Sequence, residues 1–298
     1  MGYLFLALAL LAGSTKGYCG KKTSGFVREY KDAMFTNFVR MVLCILISFL
    51  LLALSGRLSL LAVDLNVVLI TLLSGVTTSV FVVAWLLAVR RGAYMMLDVF
   101  LMLGVIVPLL LSEFLFDERI RLNQWAGLLV LLVAVVIMCS YNNQIKEKMS
   151  LKSLGLLVLC GIANGLTDFS QKLYVKTVAD SSAAVFNFYT YIFSALVLLV
   201  FYLGAKVTDK TGSSSETDVL RRVGGYVAVM SVCLFLNSYF KTMAAGILPS
   251  AILYPLSQGA SLILSSFMSM LFFKEKLTAK CITGIALSFA GLLIINLL

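Results

Sequence analysis

Seven charged side chains fall inside apolar stretches of this sequence: Lys16, Arg40, Asp98, Glu113, Asp168, Lys172 and Lys241. A charge at the centre of a bilayer costs about 2.5–3.5 kcal/mol or more, so charges placed there mark solute paths, ion paths or proton relays by default. Asp98, in YMMLDVFLMLG, is the sharpest of them. A carboxylate at that depth binds a cationic group or takes a proton. Its alternative is a helix-end Asp at the interface, favoured by the helix dipole. Asp168 and Lys172 stand four residues apart and are expected to pair on one helix face, as a self-neutralised pair or as a proton-linked gate. Lys16 is expected to face a cavity from the first apolar stretch. Glu113, Lys241 and Arg40 lie near the ends of theirs and read as residues whose charged heads reach out to the interface.

A second set is polar but uncharged: Asn164, Asn187, Asn237, Gln258, Tyr189, Tyr191, Tyr239, Tyr254 and Trp85. Solute pockets use a few such groups to orient a ligand within an apolar wall. Aromatic rings also hold cations over their faces. Each of these residues taken singly is equally readable as packing or as an interfacial anchor. The residue types needed for other chemistries are missing or scattered. Histidine is absent, and the six cysteines include no CxxC pair. The segment GSTKGYCGKKTS resembles a phosphate loop only superficially, because Lys22 stands where Ser or Thr must follow Lys21. The expectation is therefore no metal and no intramembrane enzyme, with any proton coupling carried by carboxylates.

The elements that must hold these residues follow from composition. Of the 298 residues 61% are hydrophobic and 13% charged, and the mean hydropathy is +1.01. A soluble domain carries roughly 25% charged residues, so this chain is expected to use the bilayer as its solvent. Three prolines and continuous apolar runs favour helices over a β-barrel. Ten windows of spanning length are legible, at about 3–22, 34–54, 66–89, 94–116, 122–141, 152–174, 183–204, 223–244, 250–273 and 279–297. The first is read as a retained membrane helix. The longest polar stretch, 205–222, reads as a loop. The net charge of +10 sits mostly in short turns between apolar runs, a membrane-protein pattern that argues against nucleic-acid binding.

The chain also repeats itself. Residues 111–137 return at 268–294, an offset of 157 that places Phe116 on Phe273, Glu118 on Glu275, Gly127 on Gly284 and Ala134 on Gly291. A fainter match aligns Gly13–Gly17 with Gly161–Gly165. These small-xxx-small pairs predict close helix approach in both halves. Long-offset similarity in a membrane chain points to a duplicated unit. The expected architecture is all-α, ten transmembrane helices as two inverted five-helix repeats, 1–145 and 146–298. The offset pairs Asp98 with Pro255.

With FDERI and FKEKL as Glu-bearing turns before a Gly-bearing last helix in each half, the sequence resembles the drug/metabolite transporter superfamily, specifically its EamA-type proteins. The resemblance spans essentially the whole chain. It implies an alternating-access carrier of small solutes in the cytoplasmic membrane, with no cofactor and no enzymatic step, and with a small-molecule substrate and lipid as partners, as monomer or homodimer. Asp98 and the aromatic groups lean the expected solute towards amino-acid-like or cationic species. A phosphorylated-sugar or nucleotide-sugar carrier ranks lower, because no central Lys/Arg cluster is legible. A lipid-linked carrier flippase is the other alternative. The residues expected to bind substrate or proton are Asp98, Asp168, Lys172, Lys16, Trp85, Asn164, Asn187, Tyr189, Asn237, Tyr254 and Gln258.

Overall fold

A computed structural model describes residues 1–27, 30–62, 64–90, 94–139, 151–178, 182–208, 216–273 and 279–297. Every regular element among them is helical. The helices are α1 (Gly2–Ser24), α2 (Tyr30–Leu54), α3 (Leu65–Arg90), α4 (Tyr94–Gly104), α5 (Ile106–Phe116), α6 (Leu122–Cys139), α7 (Leu151–Thr177), α8 (Ala183–Thr208), α9 (Glu216–Ala245), α10 (Ser250–Phe273) and α11 (Ala279–Leu297), with a short 3-10 turn at Leu58–Leu61. Six of them are long and apolar enough to cross a membrane, and shorter apolar helices run over Phe100–Phe116, Leu122–Ala134 and Ile282–Ile295.

The distribution of side chains is that of a protein in lipid. Phe114 is 93% exposed and Leu122 87%, and large apolar residues face outward on most helices. Thr36, Asn37, Ser48, Ser74, Thr78, Ser79, Ser194 and Ser231 are buried instead. An apolar exterior of this extent marks contact with a membrane.

The expected span 94–116 is broken. Pro108 has no N–H to give to the carbonyl of Gly104 four residues earlier, so the ladder fails there and the Val105 N–H turns back to the Met102 carbonyl. The chain resumes as α5. Gly104 also has no side chain to hold α7 away: a Cβ on Gly104 would lie 2.1 Å from the Gly161 carbonyl oxygen, and one on Gly165 would lie 2.3 Å from that of Gly104. The expected close approach at Gly161 and Gly165 is therefore present, with α4 as the partner. A second backbone contact joins α6 to α11, where a Cβ on Gly127 would lie 2.7 Å from the Gly291 oxygen and one on Gly291 2.9 Å from the Gly127 oxygen.

The principal helix pairings have a regularity. α1 packs on α9 and α7 on α3; α3 packs on α8 and α9 on α2; α4 and α5 pack on α7 and α10 on α1. Each pair becomes the other when the two halves are exchanged, with α4 and α5 taken as one unit. The remaining large contacts between the halves, α2 with α8, α6 with α11 and α4 with α10, map onto themselves. The second Glu-bearing turn, 274–278, lies outside the described residues, as does 209–215; the rest of the stretch 205–222, expected as a loop, is helical, with α8 running to Thr208 and α9 starting at Glu216.

Candidate functional site

At the centre of these pairings lies a cavity of about 70 Å³. That is room for a few water molecules. Both halves line it: α1 contributes Gly13, Ser14 and Lys16, α3 Phe81 and Trp85, α4 Leu101, α7 Asn164, α9 Asn237 and Lys241, and α10 Ser257, Gln258, Ser261 and Ser265. The lining matches across the duplication. Lys16 and Asn164 occupy equivalent places in the Gly13–Gly17 and Gly161–Gly165 segments, and Leu101 and Gln258 are related by the 157-residue offset. Positions repeat, whereas chemistry does not. Apart from Lys16 and Ser14, the first half supplies Leu10, Phe81, Trp85 and Leu101 and the glycines Gly13 and Gly17; the second supplies amides, hydroxyls and Lys241.

Five of the eleven expected residues thus line the cavity: Lys16, Trp85, Asn164, Asn237 and Gln258. Asn237 is held by donating to the Ala9 carbonyl at 2.7 Å, an approach that Gly13 leaves open on α1. Lys16 has its ammonium 5.8 Å from the Phe81 ring centroid and makes no hydrogen bond or ion pair among the described residues. It feels the like charges of Arg40 and Lys241 and the opposite charge of Asp168.

Asp168 and Tyr254 lie one layer behind. The pairing of Asp168 with Lys172 expected from their spacing gives way to two pairs between helices. Lys241 donates to both oxygens of Asp168, at 2.7 and 2.8 Å, and Asn164 reaches the same carboxylate at 3.5 Å. Tyr254 donates to the Asp168 backbone carbonyl at 2.7 Å and lies with its ring centroid 5.8 Å from the Lys241 ammonium. Lys241, expected to reach the interface, is buried because Asp168 lies across from it at the same depth. Arg40 is also buried, at 2% exposure, with its guanidinium on Asn37.

Lys172 belongs to a further layer. Its ammonium meets Glu118 at 2.9 Å and donates to the carbonyls of Ala245 and Leu248, where α9 ends. Lys176 meets the same carboxylate at 3.2 Å, and Glu118 also accepts from the Ser250 N–H at the start of α10, at 2.9 Å. A cation on a helix C-terminus and an anion on a helix N-terminus both suit the helix dipoles. Asn164, Asp168, Lys172 and Lys176 therefore run along one face of α7 at four-residue steps, each step about 6 Å of helix. The Glu of FDERI is the clasp of this layer, a role that its repetition alone did not disclose.

Burial pushes the Glu118 carboxyl up, but the Lys172 ammonium and the Ser250 donors outweigh it and hold the group below the usual carboxylate range. A depressed pKa contributes stability above the unfolded-state value, about 4.3, and loses it as pH falls through the folded-state value. Glu118→Gln is accordingly expected to lower the thermal midpoint at pH 7, with a difference from wild type that shrinks below about pH 4. Equal midpoints at pH 7 would exclude the clasp.

On the opposite side of the cavity the equivalent of Asp168 is Gly20, at the offset that relates α1 to α7. A Cβ there would lie 2.4 Å from the Trp85 ring. An ion pair closes one side and an aromatic ring on glycine the other.

Two expected residues are elsewhere. Tyr189 donates to the Leu61 carbonyl at 2.7 Å and pins the 3-10 turn. Asn187 accepts from Ser238, which accepts from Gln171, in a chain joining α8, α9 and α7. Asp98 is in α4 three residues before Leu101, and its side chain lies outside the described residues. Sequence reasoning missed the α10 serines. Ser257, Ser261 and Ser265 recur every four residues beside Gln258, a stripe readable in SQGASLILS.

Among proteins of curated function none matches this chain. The fold is similar to that of a crystal structure over 99% of this chain and 96% of that chain, with a TM-score of 0.68 at 16% identity. The model of the EamA-like transporter family matches twice, at residues 1–140 and 151–297. The two matches divide the chain where the helix pairings exchange, and the cavity lies between them. The chain belongs to the EamA-like transporter family, within the drug/metabolite transporter superfamily, and is a multi-pass membrane protein of a family that moves small solutes.

Proposed function

We propose that the chain is a secondary carrier that moves a small polar solute through the cavity between its halves by alternating access. The observation that carries this reading is the cavity itself: unequal chemistry at matched positions, bounded by an ionic layer on one side and an aromatic one on the other. Two inverted five-helix units, 1–145 and 146–298 with ten spans in all, would make the two sides alternately available by rocking of one unit against the other. Opening one side would separate Asp168 from Lys241 and Glu118 from Lys172. Opening the other would lift Trp85 from Gly20. The cytoplasmic membrane is the proposed site of action, and Asp168 and Asp98 are the carboxylates proposed for proton coupling.

Proteoliposomes holding the full chain are expected to accumulate a small polar solute under an imposed pH gradient or against a trans load of the same solute. Asp98→Asn is expected to abolish the gradient-driven part while leaving the folded protein intact. Unchanged pH-dependent flux would remove Asp98 from coupling. Flux equal to that of protein-free vesicles under both drives would contradict the carrier.

A further inference from the structure

We propose that the solute is an anion, and that its carboxylate or phosphate oxygens are bound between Lys16 and Arg40. This names a substrate class for the carrier described above and rests on that reading. It also departs from the cationic or amino-acid-like solute expected from sequence, because the fold assembles a cluster that sequence order conceals.

Lys16, Phe81 and Trp85 line both the main cavity and a small adjoining pocket, which Arg40 also lines. The charges gathered here among the described residues are Lys16, Arg40, Lys241 and Asp168. Asp168 takes both of its close contacts from Lys241, so that pair is neutral. Two cations remain. Counting Asp98 as well would still leave a positive surplus, and Lys31 and Asp32, buried together at the head of α2, cancel.

Among the described residues, neither remaining cation is satisfied by the protein. The Arg40 guanidinium gives one hydrogen bond to Asn37, and its Nε is buried without a partner. Lys16 has only the Phe81 ring among the described residues. Two like charges near one another in a low-dielectric interior repel strongly. An anion placed between them reverses the sign of that interaction, and a guanidinium fork matches the oxygens of a carboxylate or phosphate.

The facing wall suits an oxyanion-bearing metabolite. Ser257, Gln258 and Ser261 turn towards the cavity and make no hydrogen bond among the described residues. They are available as donors to the rest of the ligand. Phe81 and Trp85 give the apolar side. Since the cavity is about 70 Å³ in this state, a bound metabolite requires the halves to part slightly around it.

The test is thermal stability of the purified full-length protein in detergent, at constant ionic strength. The probes are inorganic phosphate and succinate, glycine as a zwitterion, and choline as a cation. Phosphate or succinate is expected to raise the midpoint by about 4 °C or more near saturation, glycine and choline by less than about 1 °C. Which of the two anions acts distinguishes a phosphate site from a carboxylate site. Lys16→Gln is expected to abolish the shift, Arg40→Gln to reduce it at least tenfold in apparent affinity, and Lys16→Arg to retain it, which separates loss of charge from loss of fold. Stabilisation by choline or glycine in place of the anions, an anion shift that persists in Lys16→Gln, or no shift with either anion would overturn the proposal. Flux in proteoliposomes is read separately. Carriage of a cation or zwitterion would keep the carrier and overturn the anion site. Anion binding through Lys16 with no flux would keep the site and overturn the carrier.

Discussion

Lys241→Met is expected to destabilise the protein by about 3–5 kcal/mol, the usual cost of leaving one member of a buried ion pair without the other. The side chain removed is 6% exposed and supplies both short contacts to Asp168, itself 3% exposed. What remains near the carboxylate is the weaker Asn164 contact at 3.5 Å. Adding Asp168→Asn in the same chain is expected to recover most of the loss, because an amide in place of the carboxylate removes the unpaired charge. The stabilised double variant should still fail to transport, since the proposed ionic layer is gone. Thermal unfolding in detergent measures the first two outcomes and proteoliposome flux the third. A Lys241→Met variant within about 1 kcal/mol of wild type would show that the pair carries little, as exposed pairs do.

Gly161→Val is expected to prevent the two halves from packing. A Cβ at this position would lie 2.3 Å from the Phe100 carbonyl oxygen, and the nearest atoms belong to the backbone of α4, which no rotamer change can clear. Overpacking in an ordinary core costs about 1–3 kcal/mol because side chains can shift. Here the helices must separate, and with them the α4–α7 contact that borders the cavity. Gly155→Val on the same helix is the control, since a Cβ there meets nothing within 4 Å. The pair should separate cleanly in size-exclusion chromatography: monodisperse for Gly155→Val, aggregated or absent for Gly161→Val. Equal behaviour of the two would contradict the close approach.

These two sites also show what a sequence yields. The glycine spacing at 161 and 165 is a local signal, and it led to the right kind of contact with the partner helix left unnamed. The apolar runs, the duplication and the 157-residue offset are likewise written along the chain, and they led to the helices and to the two family matches. The break at Val105 was written there too, in Gly104 and Pro108, but a continuous apolar run over 94–116 masks it. Ion pairing was not legible, because a four-residue spacing states only that Asp168 and Lys172 share a face. Which partner each takes depends on what α9, and the turn before α6, bring to that face. Lys241 and Arg40 lie deeper than their places in the apolar runs suggest, for a related reason. Nearness to the end of an apolar run does not fix depth when neighbouring helices are staggered, and it was the misplaced Arg40 that hid the cationic cluster.

The central claim is that one cavity between the halves opens to each side of the membrane in turn. It is tested most directly by placing a single cysteine at Ser261 in a variant with Cys19, Cys44, Cys139, Cys160, Cys233 and Cys281 replaced, and measuring its labelling by a membrane-impermeant thiol reagent. The reagent is added outside, or trapped inside, proteoliposomes of known orientation. The account predicts labelling from both sides, with a lipid-buried control on α10 such as Phe267→Cys labelled from neither. Labelling of Ser261→Cys from one side only, or from neither, would contradict it.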